Sequence, residues 1–557
     1  MIFYKEKEDT MFKKIILFIS LICSLRVYSV PYEGSKILIV GSSSLANLAG
    51  QEVAKRGGNV FDVAVTVGLV MTVTNPHNAS FGGGGFALLS TKDKVEVLDF
   101  RERAPAATHE KYYLNKPKKA STLGGTAVGV PGVAAGLWAI HSKYGKLKWK
   151  TLFRRALEYA KNGVQVSGYI ANRIQSSSKN FNEESKNVFL KKDKTFYKPG
   201  DILVQNRLFS VLKKYQQFGP KAFYEGKIAE DIVNTVKAEK GHLDLVDLKE
   251  YSVRWLKPLK AKFKGYDVYL MPPPSSGGYV IKTALGLADH VKPEQYGALS
   301  VNELHFLGEI FKASFRGRSL LGDPDYHANP FNMLFSDEYL SQLKSKINLK
   351  KISSFKPLSD KKYKESKETT HFNVMDKQGN AVSLTVTLNG TFGSGVTTKK
   401  FGITLNNEMD DFTTRPGQAN MFGLVQGMGN AVQAGKRPLS SMSPTIVKKG
   451  KQVLMSLGAP GGPRIISGVF QVLYRVLVSN FNVDEAIQAP RVHHQFLPDT
   501  LFIDKHKHSP DVLKALAKKG HKIKSGWMGR VNAIYLNHKN NLEASFDARG
   551  EGSVAGY

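Results

Sequence analysis

Thr369-Thr370-His371-Phe372-Asn373-Val374-Met375, the turn Asp376-Lys377-Gln378-Gly379-Asn380, and Ala381-Val382-Ser383-Leu384-Thr385-Val386-Thr387-Leu388 form the stretch whose reading decides the fold. Two β-rich runs around a Gly/Asn turn predict an antiparallel hairpin. With the turn centred on Gln378, Thr370 pairs with Val386 and Thr369 stands opposite Thr387. Side chains alternate across a strand, so Val382, Leu384, Val386 and Leu388 share one face. Ser383, Thr385, Thr387 and Asn389 share the other. This register places Thr387 and Asn389 on the face that meets Thr369.

The stretch before Thr369, Lys350 to Glu368, holds seven lysines and few apolar side chains, and it reads as a mobile linker. Thr369 then has two readings. One is a plain strand start, which this segment alone favours. The other is a precursor that cuts itself between Glu368 and Thr369. An amino-terminal threonine attacks a carbonyl with its hydroxyl while its own α-amine takes the proton. Such an amine has a pKa of about 7.7–8.0, so a sizeable share is neutral at ordinary pH. An internal threonine lacks that base, so the cut must come first.

Working outward, residues 36–75 read as a short strand, a glycine turn and a helix, with the small apolar residues of Asp62 to Val73 suiting a buried helix. Phe81-Gly82-Gly83-Gly84-Gly85-Phe86 lacks the Gly-Lys-Ser/Thr ending of a phosphate loop and reads as a tight turn before the strand Ala87-Leu88-Leu89. Val95 to Phe100 is another strand, ending at Arg101. Residues 126–260 are mostly helical by periodicity, and Pro272 to Gly278 is a bend before an apolar helix. Downstream, Ser443 to Val447 and Val453 to Leu457 form a second strand pair. It leads into Gly458-Ala459-Pro460-Gly461-Gly462 and a helix from about Pro463 to Val478. Glycines just before a helix free backbone N–H groups to point at an anion.

The 557 residues, 42% hydrophobic, suit one large domain or two moderate ones. Met11-Phe12-Lys13-Lys14 and the apolar run Ile15 to Leu25 read as an export signal cut near Ser29, too short to span a bilayer. The single cysteine, Cys23, lies inside it, so the exported chain has no disulfide, no thiolate nucleophile and no cysteine-ligated metal. The +32 net charge could attract nucleic acid, acidic lipid or cell-wall polymer. The basic residues are scattered as Lys pairs rather than concentrated with aromatics. They read as a solvated basic surface, without a nucleic-acid module. No later segment is long and apolar enough to cross a membrane.

Five motifs, in order, carry a resemblance: Asp99-Phe100-Arg101-Glu102-Arg103-Ala104-Pro105; Thr369-Thr370-His371; Asn406-Asn407-Glu408-Met409-Asp410-Asp411-Phe412; Lys436-Arg437-Pro438-Leu439-Ser440-Ser441-Met442-Ser443-Pro444; and Gly458-Ala459-Pro460-Gly461-Gly462-Pro463-Arg464. Together they resemble the gamma-glutamyltransferase (gamma-glutamyltranspeptidase) family of N-terminal nucleophile hydrolases, over roughly residue 36 to Tyr557. The resemblance implies an α/β fold, a four-layer αββα sandwich. It also implies a signal peptide (1–29) and a precursor cut into a large subunit (30–368) and a small subunit (369–557) that stay together as a heterodimer.

By that resemblance Thr369 is the nucleophile, Thr387 hydrogen-bonds to it, and the Gly461 and Gly462 N–H groups form the oxyanion hole. Arg101, Ser440 and Ser441 hold the substrate α-carboxylate, a task suited to a guanidinium fork. Asn389, Glu408 and Asp411 receive its α-ammonium. The residue-level alternatives are a strand-end ion pair for Arg101, turn residues for Ser440 and Ser441, and a helix cap or metal site for Asp410-Asp411. His493-His494 reads as structural, and the sequon Asn389-Gly390-Thr391 is discounted because Asn389 is expected in the pocket. Phe422 stands where the family's lid loop often carries a tyrosine, so it walls the site without a hydroxyl to latch the lid.

The function implied is cleavage of glutathione and other γ-glutamyl compounds, with transfer to water or to amino acid or dipeptide acceptors, no metal or organic cofactor, and a periplasmic or secreted location. The rivals are a glutaryl/cephalosporin-type acylase of the same fold, a strictly hydrolytic glutathionase, and a non-catalytic basic envelope-binding relative.

Overall fold

A computed structural model describes residues 30–34, 36–358, 369–424, 426–504 and 507–557. The expected signal peptide, Cys23, and the bond between Glu368 and Thr369 lie at or beyond the edge of these segments, with residues 1–29 and 359–368 outside them. Among the described residues no helix is long and apolar enough to cross a membrane.

Two seven-stranded sheets, antiparallel throughout, stack face to face. The first runs in the order Ser553–Gly556, Ile37–Gly41, Thr370–Asp376, Ala381–Thr387, Gly84–Ser90, Val95–Phe100, Arg254–Leu256. The second runs Tyr32–Gly34, Leu542–Ser545, Asn532–Leu536, Gln452–Gly458, Thr445–Lys449, Tyr266–Leu270, Leu259–Phe263. Helices Ser44–Lys55, Val60–Thr74, Val133–Tyr144 and Asn206–Phe218 build an apolar layer on the first sheet. Helices Gly277–Val291, Val301–Arg316 and Arg464–Leu477 do the same on the second. The result is the four-layer αββα sandwich. Its apolar core is split between two helix–sheet interfaces. The inter-sheet layer is partly polar, with Ser383 Oγ donating to Leu457 O, Ser456 Oγ to Asn373, and Asn373 Nδ2 to Asn532 O.

The hairpin register is the one predicted, Thr370 opposite Val386 through Met375 opposite Ala381. Helix Val60–Thr74 is buried along its whole length because it lies between the sheet and outer helices, and a capping box of Asn59 and Asp62 starts it.

Three expectations change. A second helix, Ser44–Lys55, follows the first strand where a glycine turn was expected, and the Gly57-Gly58 pair sits between the two helices. The polyglycine run is a turn only at its start, where Gly83 donates its N–H to Ser80 O at 3.1 Å: Gly84 and Gly85 are already strand, and a Cβ on Gly83 or Gly85 would meet the carbonyl oxygens of Thr387 or Thr385 at 2.1 Å. Glycine there permits close approach of backbones. Finally, residues 350–358 are tied down despite their polarity. Ser353 donates its N–H to Glu309 and accepts from Lys312 Nζ through its carbonyl, while Phe355 packs against the core.

Candidate active site

Thr369 stands at the mouth of the central hairpin, one residue before the strand Thr370–Asp376, and is 5% exposed. Its hydroxyl oxygen lies 3.5 Å from that of Thr387, as the register requires. Asn78 Nδ2 donates to the Thr369 carbonyl at 3.3 Å. His371, two residues on, is fully buried and bonded to Thr385 and Asn373. Burial holds its pKa down at about 3, so it is neutral and structural.

One cavity gathers Thr369, Thr387, Asn389, Arg101, Glu408, Asp411, Ser440, Ser441 and Gly462, nine of the ten residues expected in the site. Gly461 is the exception; it lies beside Gly462 and packs against Gly529 and Trp527. Phe422, Leu424, Met442 and Ile465 supply apolar walls. The cavity holds about 20 Å³, room for one water, because its charged walls close on one another.

The charged end is built from two motifs. Arg101 follows strand Val95–Phe100, and its guanidinium pairs with Glu408 through Nη1 and with Asp411 through Nη2 at 2.6 Å. Burial works against the guanidinium charge, but the two carboxylates outweigh it and hold Arg101 above its usual range. Glu408 and Asp411 lie on one short 3₁₀ turn, Glu408–Asp411. Burial raises both carboxyls and Arg101 opposes the rise. Asn406 organises this turn: its Oδ1 accepts the Glu408 N–H, and its amide ties Gly82 and Gly129.

Ser440 and Ser441 leave the second sheet just upstream of strand Thr445–Lys449, and Ser440 N donates to Pro274 O at 2.7 Å. The Ser441 hydroxyl is buried and finds no partner among the described residues, so it is available to a ligand. Gly461 and Gly462 carry φ of +141° and +55°, conformations that disfavour side chains. They immediately precede helix Arg464–Leu477, and neither N–H donates to a backbone carbonyl among the described residues. Two such N–H groups at a helix N-terminus can stabilise an oxyanion.

Asn389 reaches the cavity differently from the prediction. The strand ends at Thr387, and Asn389 adopts φ +69°, so strand alternation does not place it. The Thr387 hydroxyl fixes it instead, accepting the Asn389 N–H at 2.8 Å, while Asn389 Nδ2 donates to Asn407 O. Its burial agrees with discounting the sequon.

The segment 420–424 covers the cavity, and the two adjacent aspartates hold it. Asp411 Oδ1 accepts from Asn420 Nδ2 at 3.0 Å, and Asp410 Oδ2 accepts the Met421 N–H at 2.8 Å. Phe422 presses on Gly462, as a wall should, while Met421 sulfur receives the Asn389 amide at 3.8 Å. Asp410 is therefore a lid anchor rather than a helix cap, and burial pushes its carboxyl up to about 6. His493 and His494 are buried and partnered by Ser467, Gln495 and Asp499, in keeping with a structural role.

Sequence reasoning missed the frame behind this site. Asp99 is fully buried and pairs with Arg254 and Arg437, which joins the Asp99–Pro105 motif to the Lys436–Pro444 motif. Glu102 was also missed: it is fully buried behind Arg101. The signal for both was their place inside conspicuous motifs, but no local pattern tells a buried acid from an exposed one.

Comparison with known proteins agrees with the geometry. The family model described as Gamma-glutamyltranspeptidase matches residues 46–557. The chain is 37% identical to the Glutathione hydrolase proenzyme of Escherichia coli over 541 residues, 95% of this chain and 93% of that one. Among solved structures, a cephalosporin acylase from Bacillus halodurans superposes with a TM-score of 0.85 at 23% identity, covering 96% of this chain and 98% of that one, which speaks to the fold alone. Helicobacter pylori gamma-glutamyltranspeptidase gives a TM-score of 0.55 at 32% identity, over 57% of this chain and 94% of that chain. The chain belongs to the gamma-glutamyltranspeptidase family.

Proposed function

We propose that the protein is a γ-glutamyltransferase and glutathione hydrolase that matures by cutting itself before Thr369. One observation carries the reading: a buried guanidinium, two carboxyls and a serine hydroxyl without a partner among the described residues open onto the same cavity as the Thr369 hydroxyl. A cation beside two acids is the complement of an α-amino-acid head group, which a γ-glutamyl substrate presents one side chain's length from its scissile amide.

In maturation the Thr369 hydroxyl attacks the Glu368 carbonyl, the C–N bond breaks as the acyl group moves to oxygen, and water opens the ester. This frees the α-amine that later serves as base. In turnover the substrate α-carboxylate goes to Arg101, Ser440 and Ser441, and its α-ammonium to Glu408, Asp411 and Asn389. Thr369 Oγ attacks the γ-carbonyl while its α-amine takes the proton. The Gly461 and Gly462 N–H groups receive the developing oxyanion, and Thr387 orients the nucleophile. The amine leaves with the proton, giving a γ-glutamyl ester on Thr369. Water releases glutamate; an amino acid or dipeptide amine yields a transpeptidation product. The two fragments remain one heterodimer because the first sheet takes strands from both sides of the cut. Export to the periplasm or exterior is the natural destination for the leading signal.

The glutaryl acylase reading is disfavoured by Glu408 and Asp411, since a glutaryl group has no ammonium for them to meet. The test is hydrolysis of γ-glutamyl-p-nitroanilide beside glutaryl-p-nitroanilide by the processed protein. The γ-glutamyl compound should be cut faster, and a preference for the glutaryl compound would reverse the assignment.

A further inference from the structure

Thr369 is also held from outside the cavity. Asn78 follows helix Val60–Thr74 by way of a tight turn, in which Asn78 and Ala79 donate their N–H groups to Asn75 O at 3.0 and 2.9 Å. Asn78 is 1% exposed, and its Nδ2 donates to the Thr369 carbonyl at 3.3 Å. Its Oδ1 is buried and finds no donor among the described residues. An unmet acceptor in the interior is unfavourable, so this bare oxygen calls for an explanation.

The strand register supplies one. Asp376 sends its N–H across the hairpin turn to Asn380 O, and Lys377 sends its own to Lys36 O on the opposite side. Backbone groups alternate in direction along a strand, and the N–H and C=O of one residue point the same way. Counting back by twos, Thr370 faces its hairpin partner, while the nitrogen and carbonyl of Thr369 face the side of strand Ile37–Gly41. That strand has run out by then, since its last residue, Gly41, pairs with Phe372. Asn78 stands in the gap. A side-chain amide carries a donor and an acceptor as a peptide group does, so with Nδ2 on the Thr369 carbonyl the Oδ1 is left for the nitrogen on the same edge. In the uncut chain that nitrogen is an amide whose single hydrogen is fixed in the peptide plane. Cleavage makes it an amine, with more hydrogens and free rotation about its bond to Cα.

We propose that Asn78 is a positioning residue for the amino terminus that cleavage creates: its Oδ1 accepts a hydrogen bond from the Thr369 α-amine, while Nδ2 keeps the carbonyl of the same residue in place. With one N–H fixed on Asn78, the amine lone pair turns to the threonine's own hydroxyl, which Thr387 holds from the other side at 3.5 Å. The bond also favours the ammonium form, the stronger donor, against the burial that opposes it. The neighbouring titratable groups are few. His77 precedes Asn78, and burial, then the charges of Arg530 and Arg173, hold its imidazole down at about 3. His371 is neutral as well, and Arg101, Glu408 and Asp411 line the cavity beside Thr369. The proposal rests on the maturation before Thr369 proposed above.

The experiment records kcat/KM for γ-glutamyl-p-nitroanilide between about pH 5 and 9 on wild type, Asn78→Asp and Asn78→Leu, with the processed share of each read from a denaturing gel. The acid limb of the profile reports the amine of the free enzyme, and its midpoint does not depend on how much of the chain is active. Asn78→Asp keeps an acceptor and adds a negative charge beside the ammonium, so the midpoint should rise by about one unit. Asn78→Leu takes the acceptor from a buried amine, so the midpoint should fall by about one unit. Its kcat per processed chain should drop about 10- to 100-fold with KM little changed. The charged groups of the cavity are common to all three proteins, so opposite shifts report Asn78. Midpoints that coincide in the three overturn the proposal alone. If one variant does not fold, the other decides by the sign of its shift. If both stay unfolded or uncut, Asn78 serves the fold or the cut instead, and the proposal is overturned. Wild type that remains uncut overturns the maturation reading, and this proposal with it.

Discussion

The hydroxyl oxygens of Thr369 and Thr387 lie 3.5 Å apart across the mouth of the central hairpin, and the Thr387 oxygen also accepts the Asn389 N–H at 2.8 Å. One side chain thus orients the nucleophile and props the left-handed residue that follows it. Thr387→Val keeps the shape and removes both bonds. It should lower kcat by about 10- to 100-fold, and destabilise the fold by about 1–3 kcal/mol because a buried N–H loses its acceptor. Thr387→Ser should restore most of both, checked by steady-state kinetics and thermal melting.

Ser441 offers the opposite case. Its hydroxyl has no partner to lose among the described residues, so Ser441→Ala should leave the melting temperature within experimental scatter. It should raise KM for γ-glutamyl-p-nitroanilide by about 5- to 50-fold, the cost of one hydrogen bond to a charged group. A change in melting temperature without a change in KM would give Ser441 a structural role instead.

Arg101→Ala has a second consequence that sequence alone does not show. Arg101 is the direct partner of buried Glu408 and Asp411, so its loss strands two carboxyls as well as the substrate carboxylate. Activity should fall below detection, and the fold should lose about 3–5 kcal/mol, read as a drop in the urea midpoint.

Asp410 predicts a pH dependence of stability. Its folded carboxyl titrates near 6 rather than 3.8, so between those values the folded state holds more protons than the unfolded. Its contribution therefore becomes less favourable as pH rises through that window, by about 3 kcal/mol in all. Asp410→Asn should remove that fall: the variant should gain on wild type between pH 4 and pH 7 in urea titrations. Parallel curves for the two proteins would contradict the assignment.

Much of this was legible in the chain because it is local. A two-residue period and a Gly/Asn turn set the hairpin, and the register followed from the turn centre, which put Thr387 opposite Thr369. The helix after Gly462 was readable from its apolar periodicity. Asn389 was placed in the cavity for the wrong reason, since a backbone at φ +69° leaves no trace in strand alternation. The linker reading failed for residues 350–358 because Glu309 and Lys312, far upstream, supply their partners. Glu102 and Asp99 escaped for the same reason: burial of an acid is decided by residues distant in sequence, Gly84 and Gly129 for Glu102, Arg254 and Arg437 for Asp99.

The central claim is that Thr369 becomes a new amino terminus. The direct measurement is a denaturing gel of purified wild type beside Thr369→Ala, with amino-terminal sequencing of the smaller fragment. Wild type should give two fragments, the smaller beginning Thr-Thr-His-Phe-Asn, and Thr369→Ala a single uncut chain. Active wild-type protein that remains one unbroken chain, or a smaller fragment that begins elsewhere, would contradict the account.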